Sequence, residues 1–142
     1  MTTHISNRLT TSQLLKAGGA AVLSALVLTL AGRFLLGRLT PLDKSFPPFG
    51  LGPIIIFTVI LTLAGVGVLV LVNFLSANPL KIYNVIGVIA FFLSLIPDIA
   101  GAANPAAMPM GGSGSNYLLL IIFHVLAAGG FLGALNFVVR KV

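Results

Sequence analysis

The chain has 142 residues, 58% hydrophobic and 7% charged, with a formal net charge of +6 and a mean hydropathy of +1.13. A soluble domain carries about 25% charged residues, so a chain this poor in charge cannot clothe itself in a water-compatible surface. Composition points to an integral membrane protein, and the absence of cysteine excludes disulfides, thiolate metal sites and cysteine nucleophiles.

The basic residues are Arg8, Lys16, Arg33, Arg38, Lys44, Lys81, Arg140 and Lys141. They are scattered and fall mostly near the ends of apolar runs, as membrane anchors do. Nucleic acid is therefore not an expected partner; the lipid bilayer is.

Met1 to Leu9 is polar and reads as a loose start. Thr10 and Gln13 then stand at capping-box spacing, and a first helix is expected over residues 12–37. Its apolar part, Ala17 to Leu36, is long enough to span if Arg33 snorkels outward. That part exceeds the apolar length of a signal peptide and lacks a small-x-small site before a polar mature start, so it reads as a retained helix. Gly37 to Gly52 holds three prolines with Arg38, Asp43 and Lys44, which predicts an irregular surface segment. A second helix is expected over 53–75. Ser76 to Asn78 is a tight turn, with Asn78 and Pro79 as N-cap and first helical residue.

A third helix is expected over 79–102, and it poses a question. The chain has only two acidic residues, and one of them, Asp98, follows Pro97 inside an apolar run. A helix stopping before Pro97 rises ~27 Å, just enough to cross, and leaves Asp98 among headgroups. A helix that kinks and continues to about Ala103 puts Asp98 in hydrocarbon. Both readings stay open. Residues 104–116, rich in Gly, Pro and Ser and without charge, read as a flexible solvated loop containing Met108 and Met110. A fourth helix is expected over 117–140. The fold class is thus all-α: one membrane domain over 1–142, a four-helix bundle with antiparallel up-down topology.

Small and polar residues recur at helical spacing: Asn84, Gly87, Phe91, Ser94 and Asp98 on helix three, and Thr58, Thr62, Gly65 and Asn73 on helix two. Small residues let backbones approach where lipid supplies no hydrophobic push. Gly65, Gly87, Gly129 and Gly133 are the expected packing glycines. Ionisable groups at membrane depth are costly unless paired. Arg33 is the partner for Asp98 suggested by depth, the alternative being that both snorkel to separate water. His124 lies about seven residues from the outer end of helix four. Arg33, Ser94, Asp98 and His124 therefore form the candidate polar cluster at the outer third. His124 reads first as a satisfied packing residue, and otherwise as a proton-handling group or a ligand to a pigment or haem; His4 lies on the opposite side. No cofactor or metal is required by any motif, and no phosphate loop, carboxylate pair or zinc helix occurs, so no enzymatic activity is expected.

PPFG before helix two, the glycine-containing helix two, SLIP at Ser94 to Pro97, the small-residue loop and FHV at 123 to 125 resemble a family of small bacterial four-helix integral membrane proteins of unknown function. The similarity covers roughly Pro47 to Arg140, although Phe123 stands where such families usually have methionine before the histidine. The resemblance implies a four-helix architecture and associates the SLIP element with the histidine; it supplies no activity.

Three functional readings follow. The first is a non-enzymatic accessory or structural subunit packed with other membrane proteins. The second is a small transporter or channel-like oligomer with a wet cavity at Thr58, Thr62, Ser94, Asp98 and His124. The third is a pigment- or cofactor-binding subunit using His124. An even number of spans puts both termini on one side with Arg8, Lys16, Lys81, Arg140 and Lys141, against Arg33, Arg38 and Lys44 on the other. The expected location is a bacterial inner (plasma) membrane with both termini cytoplasmic.

Overall fold

A computed structural model describes residues 8–141. His4 and most of the polar start lie outside the described residues. The elements are α1 (Thr11–Leu39), α2 (Leu51–Leu75), α3 (Pro79–Ser94), α4 (Ile96–Ala103) and α5 (Gly114–Lys141). Short 3₁₀ turns occupy Pro47–Phe49 and Pro105–Ala107, and the described residues contain no strand. Counting α3 and α4 as one interrupted rod, four helices are long and apolar enough to cross a membrane.

Local chemistry sets the boundaries. The Thr10 hydroxyl accepts from the Gln13 backbone N–H at 3.3 Å, and the Gln13 side chain accepts from the Thr10 N–H at 2.8 Å, which closes the capping box of α1. Arg8 and Leu9 are docked rather than loose. The Leu9 N–H donates to Asn73 Oδ1 at 2.7 Å, the Asn73 amide returns a bond to the Leu9 carbonyl at 3.0 Å, and Arg8 Nε reaches the Ser76 carbonyl at 3.4 Å. A buried side-chain amide on α2 thus satisfies a stretch of backbone that precedes α1.

The third rod neither stops at Pro97 nor runs on smoothly. It breaks at Leu95 and resumes as α4 to Ala103. Pro97 has no N–H to give the carbonyl four residues back, so the α-helical ladder cannot continue through it. The Leu95 N–H bonds the Phe92 carbonyl instead, at 3.2 Å, and the Ser94 hydroxyl donates to the Phe91 carbonyl at 2.7 Å.

Packing is built on α1 and α5. Ala17, Ala21 and Ala25 form a fully buried stripe at four-residue spacing on α1, against Leu69 and Val72 of α2, Tyr83 of α3, and Phe131 and Leu135 of α5. Only methyl-sized side chains there allow such close helix approach. Along α1, Leu9 meets Asn73, Gly18 meets Val66 and Arg33 meets Phe49. Gly32 meets Leu126, and Ala25 meets Gly130. The order of contacts on α1 therefore reverses on both α2 and α5.

Two of the glycines expected to pack do so: Gly65 lies against Phe131 and the Tyr83 hydroxyl, and Gly87 against Leu132. Gly129 and Gly133 do not, since a methyl group at either would meet nothing within 4 Å. The reason is helical phase. The face of α5 covered by α1 carries Gly130, where a methyl would lie 3.0 Å from the Ser24 carbonyl oxygen and 3.1 Å from the Ala25 Cα. Residues 129 and 133 are rotated out of that contact.

Candidate functional site

At one end of the molecule the two long connections fold into an aromatic lid. Phe46, Phe49, Tyr117 and Phe123 are buried together, with T-shaped contacts of 5.0 Å for Phe46–Phe49, 5.2 Å for Phe46–Tyr117 and 6.0 Å for Phe49–Phe123. Such edge-to-face pairs add to the stabilisation from area burial. The segment expected to be a loose linker is folded into this lid. Gly111 and Gly112 take φ of +66° and +88°, which turns the chain back beneath Phe46. Gly111 offers its carbonyl to the Tyr117 hydroxyl at 2.7 Å. Met108 packs on the aromatic cluster, whereas Met110 is exposed.

Asp43 ties the two connections together. Its Oδ1 accepts from the Ser45 N–H at 2.9 Å and the Ser45 hydroxyl at 2.6 Å, and its Oδ2 accepts from the Asn116 amide at 2.9 Å. The Ser45 hydroxyl, with Asn116 and the Ser45 backbone, holds this carboxyl below its ordinary pKa, because each donor favours the charged form.

Against the lid lies the pairing of interest. The break at Leu95 turns α4 so that Asp98, in its first turn, faces α5. The Asp98 side chain is only 7% exposed, and its Oδ2 lies 2.8 Å from His124 Nδ1, in a ring 32% exposed. The same Nδ1 is 3.1 Å from the Leu120 carbonyl. Both neighbours are acceptors, so a proton on Nδ1 satisfies this arrangement. The approach to Oδ2 has ion-pair length but is not aligned as a hydrogen bond, and Oδ2 is otherwise buried without a donor. One side chain, His124, therefore stands against the carboxyl and leaves its hydrogen-bonding capacity underused. Gly101, one turn further on, lies directly beneath the Tyr117 ring, which brings α4 close to α5.

Of the four residues expected to cluster, Asp98 and His124 meet. Arg33 does not pair with Asp98. Its Nε donates to the Phe49 carbonyl at 2.8 Å, because the segment entering α2 lies across the end of α1 and presents that carbonyl to the guanidinium. Ser94 bonds within its own helix. Neither tie is visible in residue spacing, since each depends on how a helix is rotated about its axis. Two further polar ties were not anticipated. Asn84 of α3 and Asn136 of α5 exchange reciprocal amide bonds at 2.8 Å, and Asn73 holds Leu9. A lone asparagine in an apolar run was the available signal, because such a group at membrane depth needs a partner. Thr58 and Thr62 are buried, and the Thr62 hydroxyl donates back to the Thr58 carbonyl at 2.6 Å.

No curated protein and no solved structure matches the chain. A family model does match, over residues 5–141, which takes in α1 as well as the segment from Pro47 onward that carried the resemblance. The chain belongs to a family of unknown function (DUF6069).

Proposed function

We propose that this membrane protein is a non-enzymatic accessory or structural subunit of a larger assembly in a bacterial plasma membrane, an up-down bundle with both ends of the chain on the cytoplasmic side. One observation carries this reading: the polar groups of the rods are spent on holding the fold. Asp98 binds His124, Asn84 binds Asn136, Asn73 binds Leu9, Arg33 binds the Phe49 carbonyl, and Tyr83 binds the Gly65 carbonyl at 2.9 Å. Each tie joins separate segments, which suits a rigid scaffold better than a reactive centre. Outward faces remain apolar, with Phe57, Leu61, Phe92 and Leu93 among the exposed side chains, and such faces suit lipid or another membrane helix.

The test is purification of the full chain from its native membrane in mild detergent after in-cell cross-linking. Membrane proteins recovered in fixed stoichiometry support the reading; recovery of this chain alone, with or without cross-linker, overturns it.

A second reading rests on the histidine. Nε2 makes no hydrogen bond within the described chain, while Nδ1 is oriented by a carboxylate and a carbonyl. Histidines that bind metals are commonly oriented in this way, so Nε2 of His124 would be the atom to hold the metal of a pigment or haem. An absorption band that co-purifies with the chain and is lost in His124→Ala would support it.

A further inference from the structure

The opposite end of α5 carries a different kind of site. Gly133, Asn136, Phe137, Arg140 and Lys141 fall at intervals of three and four along one face of the helix, and they line a cleft of about 380 Å³. On the side of Gly133 away from Arg140, a second groove of about 240 Å³ lies between α3 and α5. It is lined by Val88, Phe91, Val125, Ala128, Gly129 and Leu132. The floor is low because neither Gly129 nor Gly133 has anything within 4 Å of where a Cβ would sit. One end of this track is cationic and its length is apolar.

Among the described residues, no carboxylate side chain pairs with the cationic end. The only side-chain carboxylates in the chain are Asp43 and Asp98. Asp98 is bound to His124, which lies sixteen residues, ~24 Å, along α5 from Arg140. Asp43 is bound to Ser45 and Asn116 in the lid. Lys81 adds a third positive charge at this end, one turn beyond Asn84, which is fixed to Asn136. The Lys141 ammonium sits 4.3 Å over the Phe137 ring, so Phe137 holds a charge at the cleft's edge.

We propose that this track binds an anionic phospholipid, with its phosphate between Arg140, Lys141 and Lys81 and one acyl chain laid over Gly133 and Gly129 between α3 and α5. Charge complementarity selects the headgroup, and the depth left by two absent side chains accepts the chain. A zwitterionic lipid of the same chain length fits the groove but brings a cation to the basic end. A soluble phosphate matches the charge but leaves the groove empty. This site is separate from the Asp98–His124 pair.

The experiment uses the full chain, delipidated in an uncharged maltoside detergent. Phosphatidylglycerol and phosphatidylcholine with identical acyl chains are titrated, with bound lipid read by native mass spectrometry and stability by melting temperature. Phosphatidylglycerol should bind and raise the melting temperature, and phosphatidylcholine should not. R140Q/K141Q should weaken phosphatidylglycerol binding ~30-fold, given about 1 kcal/mol per basic residue facing an anionic lipid. Gly133→Leu, whose Cβ meets no protein atom within 4 Å, should abolish the lipid-induced shift while leaving the lipid-free melting temperature in place. Lys16→Gln, a basic residue of α1 outside the track, should change nothing. Equal binding of the two lipids, an unchanged affinity in R140Q/K141Q, or displacement of the lipid by millimolar inorganic phosphate would each overturn the proposal.

Discussion

Asp98 is a buried carboxyl in an apolar chain. Among the described residues, His124 is the chargeable side chain bound to it. Removing His124 leaves the buried Asp98 carboxyl without this side-chain partner, and removing one member of a buried pair costs about 3–5 kcal/mol. His124→Ala should therefore destabilise the detergent-solubilised protein by a few kcal/mol. Asp98→Asn, which removes the charge along with the need for a partner, should cost less. Arg33→Ala should lose only a charged hydrogen bond to Phe49, about 1.5–3 kcal/mol. Combined with Asp98→Asn it should add within roughly 0.5 kcal/mol, as independent sites do. Strong coupling in that cycle, read from denaturation curves, would put Arg33 back beside Asp98. Asp43 gives a pH signature from outside the membrane. Its pKa is lowered in the folded state, so its contribution is present above the unfolded value, near 4, and is lost as pH falls through the folded value. The lid should loosen below about pH 4, and Asp43→Asn should flatten that dependence of melting temperature on pH. At this scale the sequence showed which residues matter better than it showed whom they touch. Asp98, His124 and Arg33 stand out in an apolar chain by their cost alone. Their partners depend on helix rotation and on the course of the α1–α2 connection, which spacing does not encode.

At the scale of elements, glycine has two opposite uses on one helix. Gly130 lies against the α1 backbone, and a methyl there would face that backbone, which cannot swing aside. Gly129, the adjacent residue, faces open space. Gly130→Ala should cost about 1–3 kcal/mol through overpacking. Gly129→Ala should be neutral or gain up to roughly 1 kcal/mol in helix propensity. A comparison of the two melting temperatures measures the rotation of α5 with a single methyl group. Small-residue spacing in the sequence suggested 129 and 133 as the packing pair. That pattern marks where a helix surface is low, and the covered face is decided only once its neighbours are placed. Chain boundaries were easier to read. The Thr10–Gln13 capping box forms, and α3 starts at Pro79 after Asn78 without a side-chain cap bond; both boundaries follow from local backbone chemistry, which sequence carries directly. Pro97 announced a disturbance in the third rod without fixing its form. Whether the chain ends or restarts there depends on contacts far along the chain. Here Tyr117 over Gly101 and His124 beside Asp98 reward continuation.

For the whole molecule, the outstanding question is which way it faces, and the absence of cysteine makes that directly measurable. Lys44 lies exposed in the α1–α2 connection and Pro109 in the α4–α5 connection, whereas Ala77 lies exposed in the short α2–α3 turn. Four rods that each cross once put the first two positions on one side and the third on the other. The basic residues weigh in one direction, with Arg8, Lys16, Lys81, Arg140 and Lys141 at the Ala77 end, and positive charge is retained in the cytoplasm. Lys44→Cys and Pro109→Cys should therefore react with a membrane-impermeant maleimide added to intact cells, and Ala77→Cys should react only after lysis. The reverse pattern would invert the protein and place the basic track of α5 on the outer leaflet. Labelling of all three from outside would mean that fewer than four rods cross, and the buried Asp98–His124 pair would then have to be explained without a bilayer around it.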